Sequence, residues 1–315
     1  MLPLIVILGP TATGKTKIAI DLAARIGGEI ISGDSMQVYR HMNIGTAKIK
    51  PTETKGVPHY LLDLRDPDEF FSVADFQKLA REKIAEITKK GNIPFLVGGT
   101  GLYIDAVIYP YNFTEQENVL PYRRKFFSLA EKKGKNYVHQ LLRNIDPVSA
   151  EKIHPHDLKR VSRALEYYYV TGKLISENKT AEQKKPLYNL VSIGLTLERS
   201  LLYQRIEQRV EQMMVEGFLE EVKGLLEKGY SPDLPTMQGL GYRQIVEYWQ
   251  GHYDLPEAVN LIKRETRRFA KRQLTWFRRD PNIKWFAVDQ LEGNYDQLLT
   301  EMLSFVGRTL YLDVE

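Results

Sequence analysis

The 315-residue chain contains no cysteine. That excludes disulfides, thiolate nucleophiles and cysteine-ligated zinc. It is compatible with a cytoplasmic protein, and the cytoplasm is the expected location. No segment approaches the roughly 18 consecutive apolar residues of a membrane-spanning helix, so no membrane partner is expected. The first apolar run, Leu2 to Leu8, is short and stops at Gly9. It lacks a basic leader and a small-residue cleavage site, and does not read as a signal peptide. Internal repeats and low-complexity tracts are absent. The length exceeds one small domain and suits one large or two unequal domains. The apolar fraction, 43%, is ordinary for a globular protein.

Net charge is only +4, but its distribution is uneven. Between Lys263 and Arg279 there are eight Lys or Arg residues and one acid, Glu265. Such a block is either a solvated helix face or a surface for a polyanion.

Short apolar runs alternate with helical periodicity in the first third of the chain. Leu4 to Leu8 reads as a buried parallel strand. Ile18, Ala19, Leu22 and Ile26 recur at helical spacing within Lys15 to Ile26. Strands are expected at Glu29–Ser32, Tyr60–Leu64 and Ile93–Val97, with a helix over Val73–Lys90. This alternation predicts an α/β fold with a parallel sheet covered on both faces. From Asn112 to Pro186 the chain is charged and helix-like, and a strand returns at Val191–Leu197. The expected organisation is a core of residues 1–112 and 188–315 with a helical insertion domain over 113–187. Helices are then expected over Leu201–Lys228, Tyr242–Trp249 and Pro256–Trp276, giving a helical C-terminal region.

The strongest local motif is Gly9-Pro10-Thr11-Ala12-Thr13-Gly14-Lys15-Thr16, which fits G-x-x-x-x-G-K-[ST] between a strand and a helix. Its glycines let backbone N–H groups curl around phosphate oxygens, and the following helix adds its positive end. Lys15 supplies a point charge and the Thr16 hydroxyl can ligate Mg²⁺. The motif specifies a diphosphate site and no more. The aspartate that would end an apolar strand in a nucleotide hydrolase is missing: Ile93–Val97 runs into Gly98-Gly99-Thr100.

Asp34, Ser35, Met36 and Gln37 follow the second strand directly. Ligands of an open parallel sheet bind at the carboxyl ends of its strands, so Asp34 belongs on the rim that carries the P-loop. A carboxylate there serves as a general base or a metal partner; it equally caps a helix or closes a turn. In the basic block, Arg264, Arg267, Arg268, Lys271, Arg272 and Arg278 cover a broad helix face. Phe269, Trp276 and Phe277 either pack inward or stack on bases. A second basic set, Lys159-Arg160-Val161-Ser162-Arg163, lies in the insertion. Two basic helices suit a nucleic-acid clamp better than a solvated face.

Together the segments GPTATGKT at Gly9, DSMQVY at Asp34, NIGTAK at Asn43, GGTGLY at Gly98, HDLKRVSRALE at His156, GLGYR at Gly239 and KRQLTWFRR at Lys271 resemble the tRNA dimethylallyltransferase family. They span nearly the whole chain in the family's order. The zinc extension of some eukaryotic members is absent, as in the bacterial form. The resemblance implies a P-loop core related to nucleotide kinases. It implies transfer of a dimethylallyl group from its diphosphate to the exocyclic amino nitrogen of the adenosine 3′ to the anticodon, in tRNAs reading codons that begin with U. By the same resemblance, Asp34 is the base at the acceptor amine. Residues Gly9 to Thr16, with Thr11 prominent, bind the donor diphosphate; Arg209 also touches it, and Thr16 attends Mg²⁺. The implied tRNA contacts are Asp34 to Gln37, Thr100, Arg123, Lys159 to Arg163, and the segment Gln238, Gly239, Leu240, Gly241, Tyr242 and Arg243. They continue through Lys271, Arg272, Gln273, Leu274, Thr275, Trp276, Phe277 and Arg278. The partners are then the tRNA anticodon stem-loop and dimethylallyl diphosphate, handled by a monomer. Two rival readings are a small-molecule or nucleotide kinase using ATP in the same loop, and a non-catalytic RNA-binding protein with a vestigial P-loop.

Overall fold

A computed structural model describes residues 1–111, 113, 120–177, 185–289 and 294–311. The chain forms two compact units, one of Met1–Tyr109 with Pro186–Glu315 and one of Pro110–Lys185.

The larger unit is built on a six-stranded parallel sheet in the order β3-β2-β4-β1-β5-β6. The strands are β1 (Pro3–Leu8), β2 (Gly28–Ser32), β3 (His59–Tyr60), β4 (Ile93–Gly98), β5 (Asn189–Thr196) and β6 (Lys284–Ala287). β1 is central and hydrogen-bonds to β4 on one side and β5 on the other. Its alternate residues Ile5 and Ile7 join a core with Val191, Ile193 and Leu195 of β5. The same core takes Ile18 and Leu22 of α1 (Lys15–Ile26) and Met302 and Val306 of α12 (Tyr295–Leu310). That period of two is the strand signature of one buried face. Elsewhere in the unit α2 (Val73–Lys89) packs on β2, β4 and α3 (Gly101–Ile108), burying Phe76, Ala80, Ile84 and Ile87. A capping box starts α2: Asp75 N–H donates to Ser72 Oγ at 3.1 Å, and Ser72 N–H returns a bond to Asp75 Oδ2 at 2.8 Å.

Several expectations are corrected here. Tyr60–Leu64 is not a strand: only His59 and Tyr60 pair, with Ile30 and Ile31. Leu61 and Asp63 take left-handed φ values of 62° and 54°, which turns the chain out of the sheet. The single helix over Leu201–Lys228 is two, α8 (Arg199–Val215) and α9 (Phe218–Glu227), separated at Gly217 with φ 96°. Beyond them lie α10 (Tyr242–Trp249) and the 23-residue α11 (Leu255–Phe277), capped by Asp254. β6 and α12 were not expected from the sequence.

The regular elements among the smaller unit's described residues are all helical: α4 (Leu120–Lys133), α5 (Lys135–Ile145), α6 (Pro147–Lys152) and α7 (Leu158–Thr171), with one short 3₁₀ turn. It has its own apolar core of Phe126, Ala130, Val138, Leu142, Ala150, Val161, Ala164 and Leu165. The chain leaves the larger unit after Tyr109 and returns at Pro186. There Leu187 N–H donates to Ile108 O at 2.9 Å.

Gly9 closes β1 at φ 142°, and a Cβ there would lie 2.5 Å from the Leu195 carbonyl oxygen. Gly9→Ala should therefore lower unfolding free energy by about 2 kcal/mol or more. Gly224→Ala, at a helical site with nothing within 4 Å of the added methyl, should raise it by about 0.5–1 kcal/mol. Denaturant titrations of the two variants test the pair; equal shifts would contradict the packing described.

Candidate active site

The P-loop joins β1 to α1, and its backbone departs from ordinary φ at Gly9 (142°), Ala12 (65°) and Gly14 (84°). Those three positive-φ positions curl the chain tightly between the strand and the helix. The loop is braced from within and from far away. Thr13 Oγ1 donates to Pro10 O at 2.9 Å, and Lys15 Nζ donates to the same carbonyl at 2.7 Å. Thr11 N–H donates to Gln273 Oε1 of α11 at 2.9 Å, while Gln273 Nε2 donates to Gly99 O at 3.0 Å. One buried amide thus ties the end of β1 to the end of β4.

Asp34 follows β2 on the same rim, where Gly33 N–H donates to Val97 O at 2.7 Å. Asp34 Oδ1 accepts Met36 N–H at 2.8 Å, closing a turn. The residue also lines two cavities. The first, about 510 Å³, is walled by Lys15, Thr16, Gln37, Lys48 and Gly99. The second, about 240 Å³, is walled by Met36, Thr100, Ile206, Val210, Met213 and Tyr242, a largely apolar set. Thr11, Asp34, Thr46, Arg209 and Phe269 belong to both walls, so the cavities adjoin. Arg209, on α8, donates from Nη1 to Thr11 Oγ1 at 3.3 Å. Burial lowers the Arg209 pKa against the pull of Asp34. For Lys15, burial and then the Arg209 guanidinium drive the pKa down from 10.5 to about 7, with Asp34 opposing. The site therefore holds two poorly solvated cations beside one carboxylate, a field suited to an incoming anion.

Residues 37–280 match the family model described as IPP transferase. The chain belongs to that family. A curated relative from Carboxydothermus hydrogenoformans, named tRNA dimethylallyltransferase, is 54% identical over 301 residues, covering 95% of this chain and 96% of its own length. A namesake from Heliobacterium modesticaldum is 50% identical over 310 residues, covering 98% and 96%. Among solved structures, the full-length tRNA isopentenylpyrophosphate transferase of Bacillus halodurans is 44% identical with a TM-score of 0.74, and all of both chains is covered. A eukaryotic dimethylallyltransferase acting on tRNA is 29% identical with a TM-score of 0.81, covering 94% of this chain and 77% of that one.

Within this family frame, the remaining sequence-derived site residues separate into those at the cavities and those committed elsewhere. Ser35 N–H donates to Thr100 Oγ1 at 3.2 Å, joining two rim segments. Gln37 has little left to offer a ligand: Nε2 donates to Thr46 O (3.1 Å) and Ala47 O (3.3 Å), and Oε1 accepts from Ser32 Oγ (2.9 Å). Gln238 and Arg243 are exposed, whereas Gly241 and Tyr242 are buried; Gly239 and Leu240 lie between. In the insertion, Lys159, Arg160 and Arg163 are exposed but Val161 and Ser162 point into the unit's own interior, at 0% and 1% exposure. Arg123 is spent on Glu166, to which Nε and Nη2 donate at 3.1 and 3.0 Å. The charge of Glu166, 1% exposed, needs that partner.

The basic block is only partly a surface. Lys263 and Arg267 pair with Glu211 and Glu207 of α8, each at 2.6 Å. Arg268 pairs with Glu265 at 2.6 Å. Lys271, Arg272, Thr275 and Arg278 remain exposed, Leu274 is half-buried, and Gln273 and Phe277 are buried. Trp276 covers Gly101, where a Cβ would lie 2.6 Å from its Nε1. Phe269 is 36% exposed at the shared cavity wall. Two further groups frame the site: Lys48, the last residue of the NIGTAK segment, and Glu221, which carries no signal in the sequence. Lys48 Nζ donates to Tyr39 O, Asn43 Oδ1 and Asp63 Oδ1 at 2.7, 2.9 and 2.6 Å. Glu221 of α9 accepts from the main chain of residues 43–45.

The depressed Lys15 pKa fixes the sign of a pH effect. Between about 7 in the folded chain and 10.5 unfolded, the unfolded state binds more protons, so stability rises with pH across that window. Below about pH 7 both states are protonated and the full penalty of burying the charge applies. Lys15→Met should be more stable than wild type near pH 7, and the gap should narrow as pH approaches 10. Denaturant midpoints of both proteins over that range test this; a constant gap would place the Lys15 charge outside the buried environment described.

Proposed function

We propose that this chain transfers a dimethylallyl group from dimethylallyl diphosphate to the exocyclic amino nitrogen of the adenosine 3′ to the anticodon in tRNAs reading codons that begin with U. The single observation that carries the reading is the pair of adjoining cavities, one cationic and one largely apolar, with Asp34, Thr11 and Arg209 on their shared wall. Two substrates of unlike chemistry can meet there.

In this mechanism the diphosphate of the donor lies on the loop from Thr11 to Thr16, taking the N–H groups that follow Thr11, whose own N–H is held by Gln273, with Lys15 and Arg209 beside it. The C1–O bond breaks, positive charge spreads over the allyl group, and the diphosphate departs as an anion. Preorganised N–H dipoles and the two cations stabilise that developing charge without reorganising. The adenine amine is a weak nucleophile because its lone pair is delocalised into the ring. As its nitrogen bonds to C1, the Asp34 carboxylate takes the proton. The base must leave the anticodon-loop stack to reach Asp34. Thr16, at the start of α1 and in the wall of the first cavity, would hold Mg²⁺ there with Asp34 nearby, and the ion would neutralise part of the leaving charge.

RNA binding is assigned to the exposed Lys271, Arg272 and Arg278, and to Lys159, Arg160 and Arg163 in the insertion. No described helix is long and apolar enough to cross a membrane. With tRNA as acceptor, the proposed place of action is the cytoplasm.

The direct test incubates the protein with labelled dimethylallyl diphosphate, Mg²⁺ and unmodified tRNA, then digests the RNA and identifies the labelled nucleoside. ATP turnover without RNA, and no labelled nucleoside, would favour a kinase instead. Asp34→Asn should lower kcat by about 10²–10⁴-fold with RNA affinity little changed; near-normal turnover would remove Asp34 from the role of base. Replacing Lys271, Arg272 and Arg278 together by Ala should weaken stem-loop binding and flatten its dependence on log salt by roughly 0.7 per lost contact. An unchanged slope in a salt titration would make α11 a solvated face only.

A further inference from the structure

Gly45, Thr46, Phe218 and Tyr242 line the second cavity together with Asp34. They come from a loop after β2, from α9 and from α10, and one side chain joins all three. Glu221 Oε2 accepts the N–H groups of Asn43 at 2.8 Å and Ile44 at 2.7 Å. Its Oε1 accepts Gly45 N–H at 3.1 Å and the Tyr242 hydroxyl at 2.7 Å. Three successive main-chain N–H groups thus converge on one anion, the geometry of a nest. Four donors on one carboxylate satisfy it with charge-assisted bonds. Burial and Glu221 hold the Tyr242 pKa well above its ordinary value, so its hydroxyl stays a donor.

The same loop is gripped from its other side. Gln37 Nε2 holds the Thr46 and Ala47 carbonyls, and the buried Lys48 ammonium holds Tyr39 O and Asn43 Oδ1. Gly45 leaves no room for adjustment, since a Cβ would lie 2.6 Å from Tyr242 Cζ and 2.7 Å from Phe218 Cζ. Glu221 itself lines neither cavity.

We infer that Glu221 is a positioning residue for the acceptor half of the site: it fixes the 43–45 main chain against Tyr242 and so sets the wall that faces Asp34. This rests on the prenyl-transfer reading of the two cavities. A carboxylate that only tied α9 to a surface loop would affect stability and leave turnover alone. One that sets the acceptor wall must affect the reacting geometry while sparing the diphosphate loop, whose braces come from Gln273, Thr13 and Arg209.

The test uses the full chain with Glu221→Gln, Glu221→Asp and Tyr242→Phe. Three readings are taken: transfer kinetics on an anticodon stem-loop RNA, inorganic diphosphate binding by calorimetry, and hydrogen exchange of the 43–45 amides. Glu221→Gln places an amide N–H against a donor. It should lower kcat by about 10- to 100-fold, as misplacement of a reacting group on the order of 1 Å does. Diphosphate affinity should stay within about twofold, and the three amides should exchange faster. Glu221→Asp should recover part of kcat, and Tyr242→Phe, which spares the nest, should lose less than Glu221→Gln. Should Glu221→Gln fail to fold, the other two variants carry the same comparison. Retained kcat with fast-exchanging amides would overturn the proposal. So would diphosphate affinity falling in step with kcat, which would mean general destabilisation. A wild-type chain that transfers nothing would sink the function itself, before any variant is compared.

Discussion

Lys15 carries its charge where the protein makes that charge expensive. Burial and the neighbouring Arg209 guanidinium together bring its pKa down to about 7. Its Nζ is held 2.7 Å from Pro10 O by a loop that the rest of the core braces. The curl at Gly9, Ala12 and Gly14 requires left-handed backbone, which persists only where the surroundings over-determine it. Those surroundings are the central position of β1 in the sheet, the close approach of Gly9 to Leu195, and the Gln273 amide that spans Thr11 and Gly99. A cation so held is preorganised, and its interaction with a leaving group needs no further rearrangement of protein dipoles.

The site contains two main-chain nests that play opposite parts. The P-loop nest is open and faces a cavity. The nest at Asn43, Ile44 and Gly45 is filled by the protein's own Glu221. One is a receptor for an external anion; the other uses an internal anion as a fastener. Both depend on side chains remote in sequence, Gln273 for the first and Glu221 for the second. Correct assembly of the site therefore waits on packing of α9 and α11 against the rim, although the rim residues themselves lie in the first third of the chain.

That remoteness separates what was legible in the sequence from what was not. β1, α1, β2 and β4 could be read because each couples a run of buried residues to a glycine that ends it, and the P-loop spacing ties two of them to a chemistry. The helical insertion was legible as an interruption of strand patterning. Tyr60–Leu64 misled because its pairing stops at Tyr60; left-handed turns at Leu61 and Asp63 send Asp63 to Lys48. β6 was missed because its four residues, one lysine, two aromatics and an alanine, form no apolar run, with only Phe286 buried. The basic block looked uniform in sequence, yet Lys263 and Arg267 neutralise acids on α8 while Lys271, Arg272 and Arg278 stay in solvent. Glu221 sits in a helix with Glu220 beside it and Glu227 following, and nothing in that pattern distinguishes the one that meets a loop nearly 180 positions earlier.

The hydrogen bond between Leu187 and Ile108 brings the two ends of the Pro110–Lys185 excursion together inside the larger unit. Closing a loop of roughly 75 residues costs only about 2 kcal/mol more than closing one of about ten, because the entropy grows with the logarithm of length. An insertion with its own apolar core offsets that cost from its own packing. The register of β1 with β5 then makes few demands on what lies between their flanking residues. The graft point is a natural place for lineages to lengthen, shorten or exchange a module while the catalytic sheet is inherited unchanged.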